Sequence, residues 1–304
     1  MFAILLLTAV SFSGCLNHNH HHGCCHGHGD PNAVYVPLDD EALSAILDGD
    51  RILVAASVIP QTEFIERVGG SRVIAISMIP PGGGHTFDPS PRQLTDLSNA
   101  VLYMKLDADE LFEINHMRTF REINPNMTVV SSSEGITLIQ TGRTADPHIW
   151  TSPRNAIIMV ENTFRGLAMV DPKNEAYFRA NADAYIEELK ALDAELTDML
   201  SDLSSRNFMV FHPAWGYFAR DYNLTQIAIE VDGREPAPRD IVRFINIARE
   251  NNISVIFVQE QVSMNSAVAI AEGFGGEVYV IDPLAKNYIE NLRDVGQVLA
   301  QKMA

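Results

Sequence analysis

Three histidines in the body of this 304-residue chain stand in turns that are marked by proline, glycine or aromatic residues. They are His85 in GGGHTFDPSP, His148 in ADPHIW and His212 in VFHPAWGYF. Imidazole nitrogen is a usual protein ligand for zinc and neighbouring divalent transition metals. A lone histidine after a strand is more often an ordinary hydrogen-bonded residue, so the three indicate a metal site only as a set.

A second group of histidines lies near the start of the chain, where six of the ten occur between His18 and His28 together with Cys24 and Cys25. This composition favours weak, exchangeable metal capture. Two alternatives are a low-complexity tail without a role and a purification tag, although the interleaved Gly, Asn and Cys are not typical of a tag.

The first residues predict export. An apolar run over residues 2–10 is followed by small residues and Cys15, which is typical of a lipoprotein signal that is cut before the cysteine. The run is shorter than the roughly 20 apolar residues that a membrane-spanning helix needs. We therefore expect an extracytoplasmic protein that is either periplasmic or anchored by lipid to the outer face of the cell membrane.

Composition narrows the class of protein. Lys and Arg total 22 against 39 Asp and Glu, and the formal charge of −17 disfavours nucleic acid as a partner. All three cysteines lie in the first 25 residues, so the folded body needs no disulfides. We expect a monomer.

Short β-branched apolar runs alternate with helical patterns on both sides of one long segment that lacks Gly and Pro. This alternation predicts an α/β protein with two parallel-sheet βα lobes. The segment from Pro172 to about Leu203 predicts one linking helix of about 45 Å. We divide the chain into a signal peptide (1–14), a lipidated cysteine with a His/Cys-rich tail and linker (15–50), an N-terminal lobe (51–170), a linking helix (171–205) and a C-terminal lobe (206–304).

The strand ends then place the candidate ligands. Ligands of open parallel sheets bind beyond the carboxyl ends of the strands. His212 and Asp282 each follow a predicted strand of the second lobe, and His85 follows one of the first. Together with His148, they predict a metal site of three imidazoles and one carboxylate in the cleft between the lobes, at distances of about 2.0–2.2 Å from the ion.

From about Arg51 to the C-terminus, several motifs occur in the order found in one protein family. They are VAASVIPQTEFIERVGG, PPGGGHTFDPSP, DPHIWTSPRNA, FHPAWGYFARDYNL and VQEQVSMNSAVAIAEGFGGEVYVIDPL. The chain thus resembles the metal-binding solute receptors of ABC importers, the zinc and manganese class. The resemblance implies two lobes bridged by a long helix, and one divalent ion held by His85, His148, His212 and Asp282.

The resemblance also implies the partners, which are a membrane permease and its cytoplasmic ATPase.

Three imidazoles favour Zn²⁺, since Mn²⁺, the alternative, prefers more oxygen ligands. Glu134, Glu230 and Glu260 are candidates to support an imidazole through a hydrogen bond. His116 lacks any such context and is expected at the surface. The stiff linking helix predicts small lobe movements.

Other classes of protein remain alternatives. Catalytic zinc keeps a coordination position open for water, whereas four protein ligands leave none. The chain also lacks HExxH, GxSxG and a glycine-rich phosphate loop, so a zinc hydrolase is disfavoured. A zinc-buffering adhesin with the same fold is not separated from an import receptor by these residues.

Overall fold

The computed structural model describes residues 35–230, 234–259 and 264–303. The predicted signal peptide, the lipidated Cys15, the tract from His18 to His28 and Glu260 lie outside the described residues. Within them, no helix is both long enough and apolar enough to cross a membrane.

The N-terminal lobe is built on a parallel sheet of four described strands, in the order β2-β1-β3-β4. Its elements are α1 Asp40–Leu47, β1 Ile52–Ala56, α2 Ile59–Gly69, β2 Val73–Ser77, α3 Pro91–Leu97, β3 Leu102–Lys105, α4 Leu111–Ile123 and β4 Thr128–Ser131. A small antiparallel hairpin follows, β5 Gln140–Thr141 and β6 Thr144–Ala145, which the sequence did not predict.

The C-terminal lobe repeats this design with a second parallel sheet, in the order β10-β9-β7-β8. Its elements are β7 Asn207–Val210, α7 Gly216–Asp221, β8 Thr225–Ala228, α8 Pro238–Glu250, β9 Val255–Val258, α9 Asn265–Phe274, β10 Glu277–Val280 and α10 Tyr288–Met303. The two sheets confirm the predicted fold class. The predicted residue boundaries of the lobes stay a prediction.

The linking helix is shorter than expected. After α5, Pro153–Val170, residues Pro172–Asn174 form a separate 3-10 turn, and the long helix α6 is Glu175–Met199. Its 25 residues correspond to about 37 Å rather than the expected 45 Å. Beyond it, the chain turns towards β7, and Arg206 Nη1 donates a hydrogen bond to the Leu200 carbonyl at 2.7 Å, which satisfies a group at the helix end.

The helix α6 packs against α2 and α5 of the first lobe and α10 of the second. Its buried face carries Phe178, Ala182, Tyr185, Leu189, Leu192 and Leu196. Apolar residues near helical spacing in the first half of the helix also include Tyr177, Ala180 and Ala184, but the structure leaves these three exposed.

One apolar core extends through both lobes. It includes Leu53 and Tyr103 of the first sheet, Leu192 of α6 and Phe208 of the second sheet. A smaller core lies on the other side of the second sheet, around Phe244 and Ile256. Because the two lobes share buried side chains, large rigid-body movement would expose apolar area, which supports the expectation of small lobe movements.

Candidate metal centre

His85, His148 and His212 come together between the lobes. One ligand nitrogen from each ring lies within 4.8 Å of the other two. Nε2 of His148 and Nε2 of His212 are 3.1 Å apart. The structure thus brings together three of the four predicted ligands, which are far apart in the sequence.

Each of the three imidazoles contacts a carboxylate through Nδ1. His85 lies 2.8 Å from Glu110, His148 2.7 Å from Asp146, and His212 2.7 Å from Glu230. In this arrangement the neutral ring donates its Nδ1–H to the carboxylate, which leaves the Nε2 lone pair available. Such a carboxylate partner orients a metal-ligating histidine and increases its basicity.

The spacing of Nε2 atoms fits two ligands of one small ion. Nitrogens about 2.0 Å from a tetrahedral zinc are about 3.3 Å apart, close to the 3.1 Å between His148 and His212. Without a cation, the two lone pairs at this distance repel each other. A divalent ion between them replaces this repulsion by coordination.

Loops at the carboxyl ends of parallel strands position the rings of His85 and His212. His85 lies in the loop between β2 and α3, and its partner Glu110 is the N-cap residue of α4, where it also accepts the Phe112 N–H. His148 follows the β5–β6 hairpin, and His212 follows β7. Parallel strands bring these carboxyl ends to one edge of each sheet, as the strand pattern predicted.

Asp282, the fourth predicted ligand, follows the last strand, β10. Its Oδ1 accepts the Leu284 N–H at 2.8 Å. Its carboxylate does not belong to the group of ligand atoms within 4.8 Å of one another that the described residues form. Trp150 Nε1 donates to the carbonyl of Pro283 at 2.7 Å, which ties the turn after Asp282 to the segment after His148. Coordination by Asp282 stays a prediction.

Two of the three supporting carboxylates were not predicted. Glu230, one of the predicted candidates, contacts His212. The candidate Glu134 accepts a hydrogen bond from Asn162 through its backbone carbonyl, at 2.9 Å. Asp146 was missed although it lies two residues before His148. Glu110 was missed because the contact joins residues 25 positions apart across two loops.

The remaining aromatic and histidine residues near the site are structural. Trp150 and Trp215 are each 2% exposed and belong to the apolar core. The expectation that His116 lies at the surface was wrong, because the side chain is half-buried between Phe112 and Phe120 and its Nε2 lies 3.1 Å from the Phe87 carbonyl oxygen.

Burial and the neighbouring carboxylates shift the pKa of the imidazoles in opposite directions. Burial lowers the pKa of His148 to about 4, although the hydrogen bond and charge of Asp146 oppose this. Burial also disfavours charge on His85, but the hydrogen bond and charge of Glu110 outweigh it and raise the pKa of His85 above its usual value. The same pairing outweighs the effect of burial on Glu110, so its pKa is lowered.

These shifts predict how metal affinity depends on pH. Protons compete with the metal for imidazole nitrogen, so affinity falls as pH falls through the pKa of each ligand. Because its pKa is raised, His85 is protonated at higher pH than His148, and the loss of affinity begins above about pH 6.5 with a slope of about tenfold per pH unit. Because the pKa of His148 is about 4, its protonation adds to the loss of affinity only near that pH. Zinc titrations between pH 5 and 8 measure the onset.

The Glu110→Gln variant is the control for this pH dependence. Without the negative charge of Glu110, the pKa of His85 falls, so the onset of affinity loss moves to lower pH. Affinity at pH 8 also falls, by about 10–100-fold, because the ring loses its carboxylate partner. An onset at the same pH in both proteins would contradict the role of this pair.

Comparison with known proteins gives a family match over most of the chain. A family model described as zinc-uptake complex component A, periplasmic (ZnuA), matches residues 54–302. Among curated proteins, the chain is 26% identical over 268 residues to the zinc-binding protein AdcA of Streptococcus pyogenes. The alignment covers 79% of this chain and 52% of AdcA, so the chain spans about half the length of that relative.

Another relative, a putative metal-binding protein of Chlamydia trachomatis, is 23% identical over 252 residues, with 82% of this chain and 91% of the relative covered. Among solved structures, a crystal structure of ZnuA has a TM-score of 0.81 at 38% identity, covering 84% of this chain and all of that chain. A laminin-binding protein of Streptococcus agalactiae, described as a bifunctional adhesin and metal transporter, has a TM-score of 0.74 at 28% identity, with coverage of 84% and 100%.

Proposed function

The chain belongs to the family of periplasmic zinc-uptake components, and we propose that it is an extracytoplasmic receptor that binds Zn²⁺ with high affinity and delivers it to an ABC importer. The observation that carries this proposal is the group of three imidazoles within 4.8 Å of one another, each with a carboxylate at Nδ1. The family consists of solute-binding components, so the prediction that the chain is not an enzyme is confirmed.

Zinc is the proposed cargo because of the donor atoms. Three nitrogens and one oxygen suit Zn²⁺, whereas Mn²⁺ favours carboxylate, carbonyl and water oxygens. We assign His85, His148 and His212 as three ligands and Asp282 as the fourth. The zinc-bound structure of a ZnuA deletion mutant, 39% identical to this chain with a TM-score of 0.80, supports zinc as the metal.

Metal content tests the assignment. After dialysis of the chain without residues 18–28 against equal zinc and manganese, we expect a single tightly held zinc ion per chain and little manganese, measured by mass spectrometry of the metals. The full chain should retain additional, weakly held zinc because of the tract from His18 to His28. An excess of manganese over zinc in the shortened chain would exclude a zinc receptor.

Delivery requires a location outside the cytoplasm and an importer. The apolar run and Cys15 support export and lipid anchoring, and the family description is periplasmic. In a strain that lacks this gene, we expect zinc uptake from zinc-poor medium to fall, with recovery by the native gene but not by one encoding His148→Ala. A permease and an ATPase should be required in the same assay, which distinguishes delivery from zinc buffering.

Adhesion is a second candidate because two laminin-binding proteins of streptococci share the fold at 27–28% identity. Import remains the better supported function, since the three-histidine group fits a small ion and gives no indication of a surface that binds a macromolecule. Laminin binding by the purified chain, with and without zinc, measures adhesion directly.

We propose further that the histidine-rich tract collects zinc for the centre, and the place where the chain enters the folded body supports this. Tyr35 OH donates to Asp96 Oδ2 at 3.0 Å, and Arg92 Nη2 donates to the carbonyl of Leu38 at 2.9 Å. Tyr35 also lines a cavity of about 160 Å³ together with Pro80 and Pro81, in the loop that leads from β2 to His85.

This entry point lies at the edge of the sheet where the metal centre is. Pro81 is four residues before His85, so their Cα atoms are at most about 14 Å apart. His28 is seven residues before Tyr35, a span of at most about 25 Å. The tract is therefore long enough to approach the three-histidine centre.

Loading kinetics test this role of the tract. Removal of residues 18–28 should leave the equilibrium affinity of the centre unchanged but slow its loading from a zinc chelate, on the order of tenfold, because capture close to the centre raises the local zinc concentration. Tryptophan fluorescence reports loading, since the rings of Trp150 and His148 are 5.3 Å apart.

The matched control is a variant in which residues 18–28 are removed from their own position and attached after Ala304. The chain end near Met303 contacts Ser204, just before β7, at the sheet edge opposite the centre. This chain should load as slowly as the chain without the tract. Equal loading rates in all three proteins would contradict the collecting role and leave the receptor function intact.

A further inference from the structure

Residues 106–110, between β3 and α4, hold two of the three histidines from neighbouring positions. Glu110 contacts Nδ1 of His85 at 2.8 Å. The residue before it, Asp109, accepts the N–H of Ala145 through Oδ2 at 2.8 Å. Ala145 precedes Asp146, the carboxylate partner of His148. One short loop therefore contacts the His85 ring directly and the residue next to the support of the His148 ring.

The segment that carries His148 depends on such contacts for its position. The β5–β6 hairpin belongs to neither four-stranded sheet, so sheet register does not place it. From the C-terminal lobe, Tyr217 OH accepts the Ile139 N–H at 3.1 Å and donates to the Asp146 carbonyl at 2.7 Å. From the N-terminal lobe, Asp109 binds Ala145. The hairpin is thus held from both sides.

The loop itself is held in an unusual conformation. Asp107 and Asp109 have positive φ angles of 57° and 56°, a region that costs an L-residue about 1 kcal/mol or more. Buried Glu113 accepts the backbone N–H groups of Leu106 and Asp107, and Ser133 Oγ donates to the Asp107 carbonyl at 2.9 Å. These contacts define the base from which the Asp109 carboxylate extends.

We propose that Asp109 is a positioning residue that sets the separation between the imidazoles of His85 and His148 and thereby the zinc affinity of the centre. The proposal rests on the proposed function, because it concerns the same three-histidine centre. Asp109 does not contact the ion. It acts through Ala145 and Asp146 on one ring, while the adjacent Glu110 fixes the other.

Two substitutions separate the carboxylate from the backbone conformation. Asp109→Gly removes the acceptor but tolerates the positive φ, so the loop keeps its shape. Asp109→Asn keeps the acceptor and the backbone conformation, since an amide oxygen accepts the Ala145 N–H and asparagine tolerates a positive φ. Asp107→Gly is the matched control, because Asp107 has the same residue type and a similar φ but its side chain pairs with Lys105 at 2.5 Å.

We expect zinc affinity to fall about tenfold in Asp109→Gly, at the lower end of the effect of removing an outer hydrogen-bond partner. Asp109→Asn and Asp107→Gly should bind zinc like the native chain. Affinity is measured by competition with a chromophoric chelator. The visible absorption of bound Co²⁺ supplies a second measurement, which reports ligand geometry and should change in Asp109→Gly alone.

Thermal unfolding without metal completes the test, because a merely structural role would lower the unfolding temperature without altering the Co²⁺ spectrum. Native affinity and spectrum in Asp109→Gly would overturn the proposal, as would an equal loss in Asp107→Gly. Failure of the native chain to bind zinc would instead overturn the proposed function. The two results are therefore distinguishable.

Discussion

We expect zinc affinity to fall further in the His148→Ala variant than in any variant of a supporting carboxylate. Loss of a supporting partner costs about 10–100-fold, whereas His148→Ala removes a ligand nitrogen and leaves the buried Asp146 without the ring that it orients. His212→Ala should behave alike, since its Nε2 lies 3.1 Å from that of His148. Chelator competition measures the affinity of each variant.

His116→Ala is the matched control for these ligand variants. His116 lies in the N-terminal lobe and its ring nitrogen contacts the Phe87 carbonyl, two residues after His85, but the ring is not in the three-histidine group. Its zinc affinity should equal that of the native chain. If His116→Ala lost as much affinity as His148→Ala, the effect would reflect general damage to the lobe and not loss of a ligand.

The second large effect is expected from a single added methyl group. A Cβ on Gly216 would lie 2.7 Å from Oδ2 of Asp146, closer than real Cβ atoms approach other atoms. Gly216→Ala should therefore displace the Asp146 carboxylate from His148 and lower zinc affinity about 10–100-fold. The substitution changes neither a ligand nor a charged group, so the loss would come from misplacement alone.

A double-mutant cycle tests this explanation. In an Asp146→Ala background the crowded carboxylate is absent, so Gly216→Ala should have little further effect on zinc affinity. The expected coupling between the two positions is about 1.4–2.8 kcal/mol, which corresponds to the 10–100-fold change. Additive losses would show that the added methyl group acts elsewhere in the interface between the lobes.

The strand and helix pattern was predictable because it depends on local features of the chain. Buried parallel strands such as Val255–Val258 consist of continuous apolar residues, and turn residues mark their ends. The same pattern placed His85 and His212 after strands. In the long helix, however, spacing alone did not distinguish Tyr177 from Phe178, and the structure buries Phe178 because α2 and α5 pack on that face.

The supporting contacts of the site were only partly predictable. Glu230 was one of three candidates, and only the structure shows that it contacts Nδ1 of His212, at 2.7 Å. Glu110 and Asp109 act through contacts between loops, and no spacing along the chain encodes which loops meet. The β5–β6 hairpin is too short, at two residues per strand, for an alternating apolar pattern to indicate it.

By itself, the sequence determined the two βα lobes and three residues able to bind a metal ion, because residue type and apolar periodicity are local properties. Only the tertiary structure decided that His85, His148 and His212 meet within 4.8 Å, and which carboxylate orients each ring. Those distances arise where two sheets, one shared core and several loops pack together. Hydrogen bonds that are effective over about 3 Å depend on that packing, and not on separation along the chain.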